Sequence, residues 1–184
     1  MHPFERVPHG FRTPLFLALT FAAILSSVVM ARVGAPLNTP EAPLGIVSYE
    51  FAWDGANAAR MIDSWSAVRE SALQSLIIDY GYMVVYSSAI GFACILAAGV
   101  WLRTSLIMGI AGRYLAWGQW AAAALDGIEN AALLVMFLGT PSTPAAQIAF
   151  WCASAKFALI ITGLLYALSG LIMRFAGPKA VSAS

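Results

Sequence analysis

The stretch that decides the fold runs from Tyr114 to Met173: YLAWGQWAAAALDGIENAALLVMFLGTPSTPAAQIAFWCASAKFALIITGLLYALSGLIM. It is two apolar runs, about 114–138 and about 145–173, joined by GTPSTP. Each run exceeds the roughly 20 residues that a helix needs to cross a hydrocarbon core of about 30 Å. Pro141 and Pro144 stop one helix from continuing into the next, so the connection is a tight turn. Such a short link makes the two helices adjacent and antiparallel.

The same reading extends outward. Residues of about 14–33, opening PLFLALTFAAILSSVVMA, form one further span, and residues of about 73–102 form another. The first has basic residues ahead of it, Arg6 and Arg12, as a signal peptide would. Its apolar run is too long for a signal peptide and Pro36 disfavours cleavage at Val33-Gly34-Ala35, so it is read as a retained span. No alternation of the barrel type is present. The expected architecture is an all-α integral membrane protein, a single domain over residues 1–184 built as a four-transmembrane-helix antiparallel bundle.

Composition agrees. Of 184 residues, 60% are hydrophobic and 10% charged, and mean hydropathy is +0.78. Soluble domains carry about 25% charge, so this chain cannot cover a globule with polar surface. It is too apolar for a disordered protein. Its net charge of +1, with no basic patch, argues against nucleic acid as a partner. The lipid bilayer is the partner that composition implies.

Basic residues set the orientation. Arg6, Arg12, Arg103, Arg113, Arg174 and Lys179 fall on one side of the membrane with only Glu5. Arg32, Arg60 and Arg69 fall on the other, among Glu41, Glu50, Asp54, Asp63 and Glu70. This predicts both termini in the cytoplasm of a bacterial-type inner membrane. The polar tail from Gly177 is read as mobile, and the link between spans two and three as about ten residues long.

The loop of about 34–72 is long enough to carry elements of its own. Asp54 or Asn57 caps a helix there. Ala58, Met61, Ile62, Trp65 and Val68 recur at spacings of three and four, opposite Arg60, Asp63, Arg69 and Glu70. The pattern is an amphipathic helix that lies on the outer surface or caps the bundle. Small residues in the spans, Ala123, Gly127 and Ala131, Ser87, Gly91 and Gly99, and Gly163 and Ala167, allow close helix packing. A homo-oligomer face is the alternative use of them.

Four charged residues lie inside the spans: Asp79, Asp126, Glu129 and Lys156. Charge at bilayer depth costs on the order of 2.5–3.5 kcal/mol on insertion scales, so these residues face the bundle interior and mark a site. Asp126, Glu129 and Asn130 share one helix face at i, i+3 and i+4, with Gln119 two turns before. Asp79, Tyr82 and Tyr86 form a stripe on span two. At 1.5 Å per residue, the polar groups of three spans converge on the outer half of the bundle. The predicted ligand or proton site is Asp79, Tyr82, Tyr86, Asp126, Glu129, Asn130 and Lys156. Three carboxylates against one ammonium leave an imbalance. A retained proton, a bound cation, Arg60 or Arg69 folding inward, or Asp79 reaching water would each resolve it. The structural alternative is that Lys156 pairs with Glu129 or Asp126 and fixes helix register.

No metal site is predicted, since His2 and His9 lie in the N-terminal tail. Cys94 and Cys152 stand singly, at different depths, as packing residues. The chain has no HExxH, P-loop, GxGxxG or GxSxG, and no motif names a cofactor or fixes whether it is an enzyme. The segment from Asp54 to Arg60, DGANAAR, resembles the DG…AR opening of membrane CDP-alcohol phosphotransferases. That family has a shorter Gly-to-Ala spacing and a later pair of aspartates that is missing here, so its activity is not carried over. Trp53, Trp65, Tyr80 and Trp151, and Trp101, Tyr114 and Trp117, read as two interfacial belts. The function expected first is binding or translocation of a small solute, ion or proton through the buried cluster. A non-catalytic accessory or assembly subunit of a larger membrane complex comes second. A lipid-modifying membrane enzyme comes third.

Overall fold

A computed structural model describes residues 1–176, and every regular element among them is helical. Lys179 and the tail from Gly177 lie outside the described residues. A 3-10 turn at Pro3–Arg6 leads into α1 (His9–Gly34). The segment that follows contains a second such turn, then α2 (Ile46–Glu50) and α3 (Gly55–Ser64). The long helices α4 (Arg69–Trp101), α5 (Leu106–Leu138) and α6 (Thr143–Ala176) complete the order. Among the described residues four helices, α1 and α4 to α6, are long and apolar enough to cross a membrane, as in a multi-pass membrane protein.

α4, α5 and α6 pack on one another, and α1 packs mainly along α4. α1 is thus peripheral and has no buried residue. Small residues set the close approaches of the three core helices, but not always those the spacing picked. A side chain at Gly91 would press on the Ala116 carbonyl at 3.3 Å, and one at Gly170 would collide with Ala97. Gly99 faces open space, so that member of the predicted stripes sets no close approach, and Ala131 is exposed.

The loop between α4 and α5 is four residues, not the expected ten or so. Ser105 caps α5 by accepting from Met108 N at 3.3 Å, so the apolar run 106–112 joins the helix. Arg113 then lies within α5 and pairs with Glu5 at 2.6 Å. The N-terminal segment is docked. His2 is buried against the Trp117 and Trp120 rings, at 4.8 Å from each.

The segment from Ala35 to Val68 folds over one end of α4–α6. Of the two residues expected to cap a helix here, Asp54 does so for α3, accepting from Asn57 N at 2.8 Å. Ala58 and Ile62 are buried, while Arg60 and Asp63 are exposed. The helix stops at Ser64, so Trp65 lies beyond it. Trp65 is wholly buried and donates from Nε1 to the Leu37 carbonyl at 2.8 Å; it belongs to the core and to no belt. Gly55 lies so close to the α5–α6 turn that a Cβ would sit 3.0 Å from Ser142 Cα.

The core has two apolar clusters. One joins Leu37, Tyr49, Trp65 and Leu76 to Leu133, Met136 and Phe137 under the loop. The other gathers Phe92, Ile95, Ala116 and Tyr166 toward the opposite end. Between them, on α4, α5 and α6, lies a polar layer.

Candidate functional site

The layer is built around Lys156. Its ammonium donates to Asp126 Oδ1 at 2.7 Å and to Glu129 Oε1 at 2.8 Å. Tyr86 Oη donates to the other Asp126 oxygen at 2.9 Å. α5 presents Asp126 and Glu129 one turn apart on its inner face, as the i, i+3 spacing dictates. α6 runs alongside and delivers Lys156 between them. These groups are sealed: Asp126 is 2% exposed, Glu129 0% and Lys156 4%. At such burial an ion pair persists only because each charge has partners.

Asn130, one residue beyond Glu129, donates to Asp79 Oδ2 at 2.5 Å. This ties α5 to α4 and leaves Asp79 half-buried at the edge of the layer. The Tyr82 ring lies tilted against Tyr86, with centroids 5.2 Å apart, and its hydroxyl accepts from Ser27 of α1 at 3.1 Å. All seven predicted residues therefore belong to one connected layer. They divide by access. A cavity of about 580 Å³ is lined by Asp79, Tyr82, Tyr86, Asp126, Asn130 and Lys156, and Glu129 lies behind its wall.

One wall residue was not foreseen. Glu50, at the end of α2, is 94% buried and lines the cavity. Its Oε2 lies 3.6 Å from the Lys156 ammonium, too far for a hydrogen bond, and has no hydrogen-bond partner among the described residues. The backbone places it there. Gly45 opens α2 at φ +58°, where a side chain would meet Asn38 Oδ1 at 2.8 Å. Beyond α2, Trp53 takes φ +67°, with Asp54 N bonded back to the Ala52 carbonyl at 2.8 Å. This tight turn is costly for a bulky residue. The Trp53 ring is held against Phe150 at 4.9 Å. Burial pushes the Glu50 carboxyl up to about 7, against the pull of Lys156, with Asp79 and Asp126 adding to the rise. A signal for it exists in the sequence: Glu50 is the one charge in IVSYEFAW, an acid inside an apolar octet.

Other polar residues turn away from the layer. Gln119 donates to the Leu159 carbonyl at 2.8 Å, fastening α5 to α6 at a separate level. Arg69 does not fold inward, as considered above. Its guanidinium lies 4.5 Å from the centre of the Phe137 ring and donates to the Phe137 carbonyl at 2.7 Å. Arg60 pairs with Asn57 on its own helix. The layer therefore holds four carboxylates, Glu50, Asp79, Asp126 and Glu129, against one ammonium. Cys94 and Cys152 are both free thiols. Asp54, in the phosphotransferase-like segment, is a helix cap.

No protein-family model, no curated protein and no solved structure matches the chain.

Proposed function

We propose that this chain is a small polytopic protein of a bacterial-type inner membrane, with both termini cytoplasmic, and that it binds a small cationic solute, or the proton itself, in the Glu50–Asp79 cavity and moves it through the bundle. An antiparallel arrangement is supported by contacts that pair opposite ends of successive helices. Asp79 near the start of α4 bonds Asn130 near the end of α5. Lys156 early in α6 bonds Glu129 late in α5. Ser27 late in α1 bonds Tyr82 early in α4. The loop that carries Glu50 would then cap the outer face, with the amphipathic α3 part of that cap.

The observation that carries the reading is the charge of the cavity wall. Glu50, Asp79 and Asp126 face one ammonium there, and that ammonium already serves Asp126 and the hidden Glu129. A cation is what the wall lacks. An anion would meet Glu50 and Asp79 there, and among the described residues lining the cavity Lys156 is the one basic group.

The test uses full-length protein in phosphatidylcholine nanodiscs. Butylammonium binding is measured by calorimetry, and proton uptake by a pH-indicator dye. Wild type is expected to take up one of the two, and Glu50→Gln with Asp79→Asn to lose it while keeping the wild-type helical circular dichroism spectrum. Folded variants that bind and take up protons like wild type would overturn the reading.

A further inference from the structure

A second cavity, of about 630 Å³, runs along the seam between α1, α4 and α6. It is lined by apolar side chains such as Phe16, Ala23, Ala93, Val100, Leu168 and Leu171. Its polar groups are the Thr13, Thr20 and Ser27 hydroxyls, and Arg174 at the end away from Lys156. The two cavities adjoin: Tyr82, Tyr86, Ile90 and Leu164 line both. One end of the combined space is acidic, the middle is a long apolar groove, and Arg174 stands at the far end. From Tyr86 to Val100 the groove follows α4 for about 21 Å at the helical rise.

The groove is open to one side. Its outer wall is α1, which buries no residue and shows Leu17, Phe21, Ile24 and Leu25 to the surroundings. At the junction of the cavities Ser27 of α1 donates to Tyr82 of α4 at 3.1 Å, and nearer its start α1 packs Leu15, Phe16 and Leu19 against the second apolar cluster. A molecule held in a bilayer would thus reach the groove sideways, past α1, without crossing water.

Charge decides which head fits. Glu50 is 94% buried with an unpartnered oxygen, and Asp79 stands beside it in the wall. Lys156 has two carboxylates at hydrogen-bond distance. A carboxylate or phosphate head placed in this cavity would face the Glu50 and Asp79 carboxyls. An ammonium would gain two counter-charges in a cavity whose lining includes the aromatic residues Tyr82 and Tyr86. We infer that the ligand of this site is an amphiphilic cation, a long-chain ammonium whose head occupies the Glu50–Asp79 cavity and whose alkyl chain lies in the groove between α1, α4 and α6. The inference rests on the cation reading above and adds the chain, the groove and the sideways path.

Native mass spectrometry of the full chain, released from dodecyl maltoside, tests it. The probes are dodecylammonium, butylammonium and dodecanoate. Wild type is expected to retain one dodecylammonium, and to hold butylammonium and dodecanoate at least tenfold more weakly. Glu50→Gln should weaken dodecylammonium at least tenfold and leave its preference over butylammonium intact. Ala93→Phe fills the groove and should remove that preference while butylammonium binding persists. Should Ala93→Phe fail to fold, Thr20→Phe reaches the same groove from α1. Equal binding of butylammonium and dodecylammonium to wild type would overturn the amphiphile and leave the small-cation reading standing. Dodecanoate bound as well as dodecylammonium would overturn the charge argument. If no ammonium of either length binds, this inference fails, and the preceding proposal then rests on proton uptake alone.

Discussion

Replacing Lys156 with Met keeps the length and apolar stem of the side chain and removes only its charge. In the wild type that charge makes bonds of 2.7 and 2.8 Å to two carboxylates, each no more than 2% exposed. Asp126 keeps Tyr86 as a donor at 2.9 Å, while Glu129 loses the Lys156 hydrogen bond, and among the described residues its Oε2 has no partner. Removing one member of a buried ion pair costs about 3–5 kcal/mol, because the remaining charge stays desolvated. For a chain of this size each kcal/mol moves the thermal midpoint by about 2–4 °C. Lys156→Met is therefore expected to lower Tm by about 6–20 °C, followed by far-ultraviolet circular dichroism of the full chain in nanodiscs. Glu129→Gln added to Lys156→Met removes the stranded charge, so the double variant should recover a large part of the loss. That recovery is the coupling expected of residues in contact. If Lys156→Met unfolds within about 2 °C of wild type, or the double variant loses the full sum of the single effects, the triad does not hold α5 to α6 as a charged unit.

Four further outcomes follow from other parts of the molecule. Folding raises Glu50 from 4.5 to about 7, so between those values the folded chain holds a proton that the unfolded chain has released. Stability should fall as pH rises through that window, and Glu50→Gln should flatten the slope of Tm against pH; an unchanged slope would remove Glu50 as its source. His2 behaves in the opposite sense, because burial holds its pKa below the ordinary value despite the pull of Glu5. Its neutral form keeps the N-terminal turn docked. The turn should loosen as pH falls below about 6.5, seen as a shift in tryptophan emission from Trp117 and Trp120 that His2→Phe abolishes. Trp65→Phe leaves the Leu37 carbonyl without its donor at 2.8 Å and should cost about 1–3 kcal/mol, with faster amide exchange across Leu37–Leu44; unchanged exchange would show that the loop is held elsewhere. Gly170→Val drives a side chain into Ala97 and should destabilise by about 1–3 kcal/mol. Gly99→Ala, facing open space, should instead be neutral or gain up to about 1 kcal/mol, and similar effects of the two in thermal melts would contradict the α4–α6 packing.

The sequence by itself determined what depends on neighbours a few residues away. Helix-length apolar runs, the Asp54 cap and the shared face of Asp126, Glu129 and Asn130 are local: each follows from a 3.6-residue period, a short side chain or a scarcity of charge. The tertiary structure decided what depends on distant segments. Glu50 reads as one more acid in a loop until Gly45 and Trp53 turn α2 over the helix ends and bring it to Lys156, 106 positions along the chain. Gln119 shares a helix side with Asp126 and still bonds elsewhere, because the carbonyl it meets belongs to α6 at another height. Trp65 reads as an interfacial ring, and burial against Tyr49 makes it part of the core. His2 reads as tail, and two tryptophans of α5 enclose it. Periodicity specifies which face a residue is on. It is silent about what that face meets, and the meeting of α1, α4 and α6 along an unfilled seam is what turns a polar cluster into a cavity with a groove.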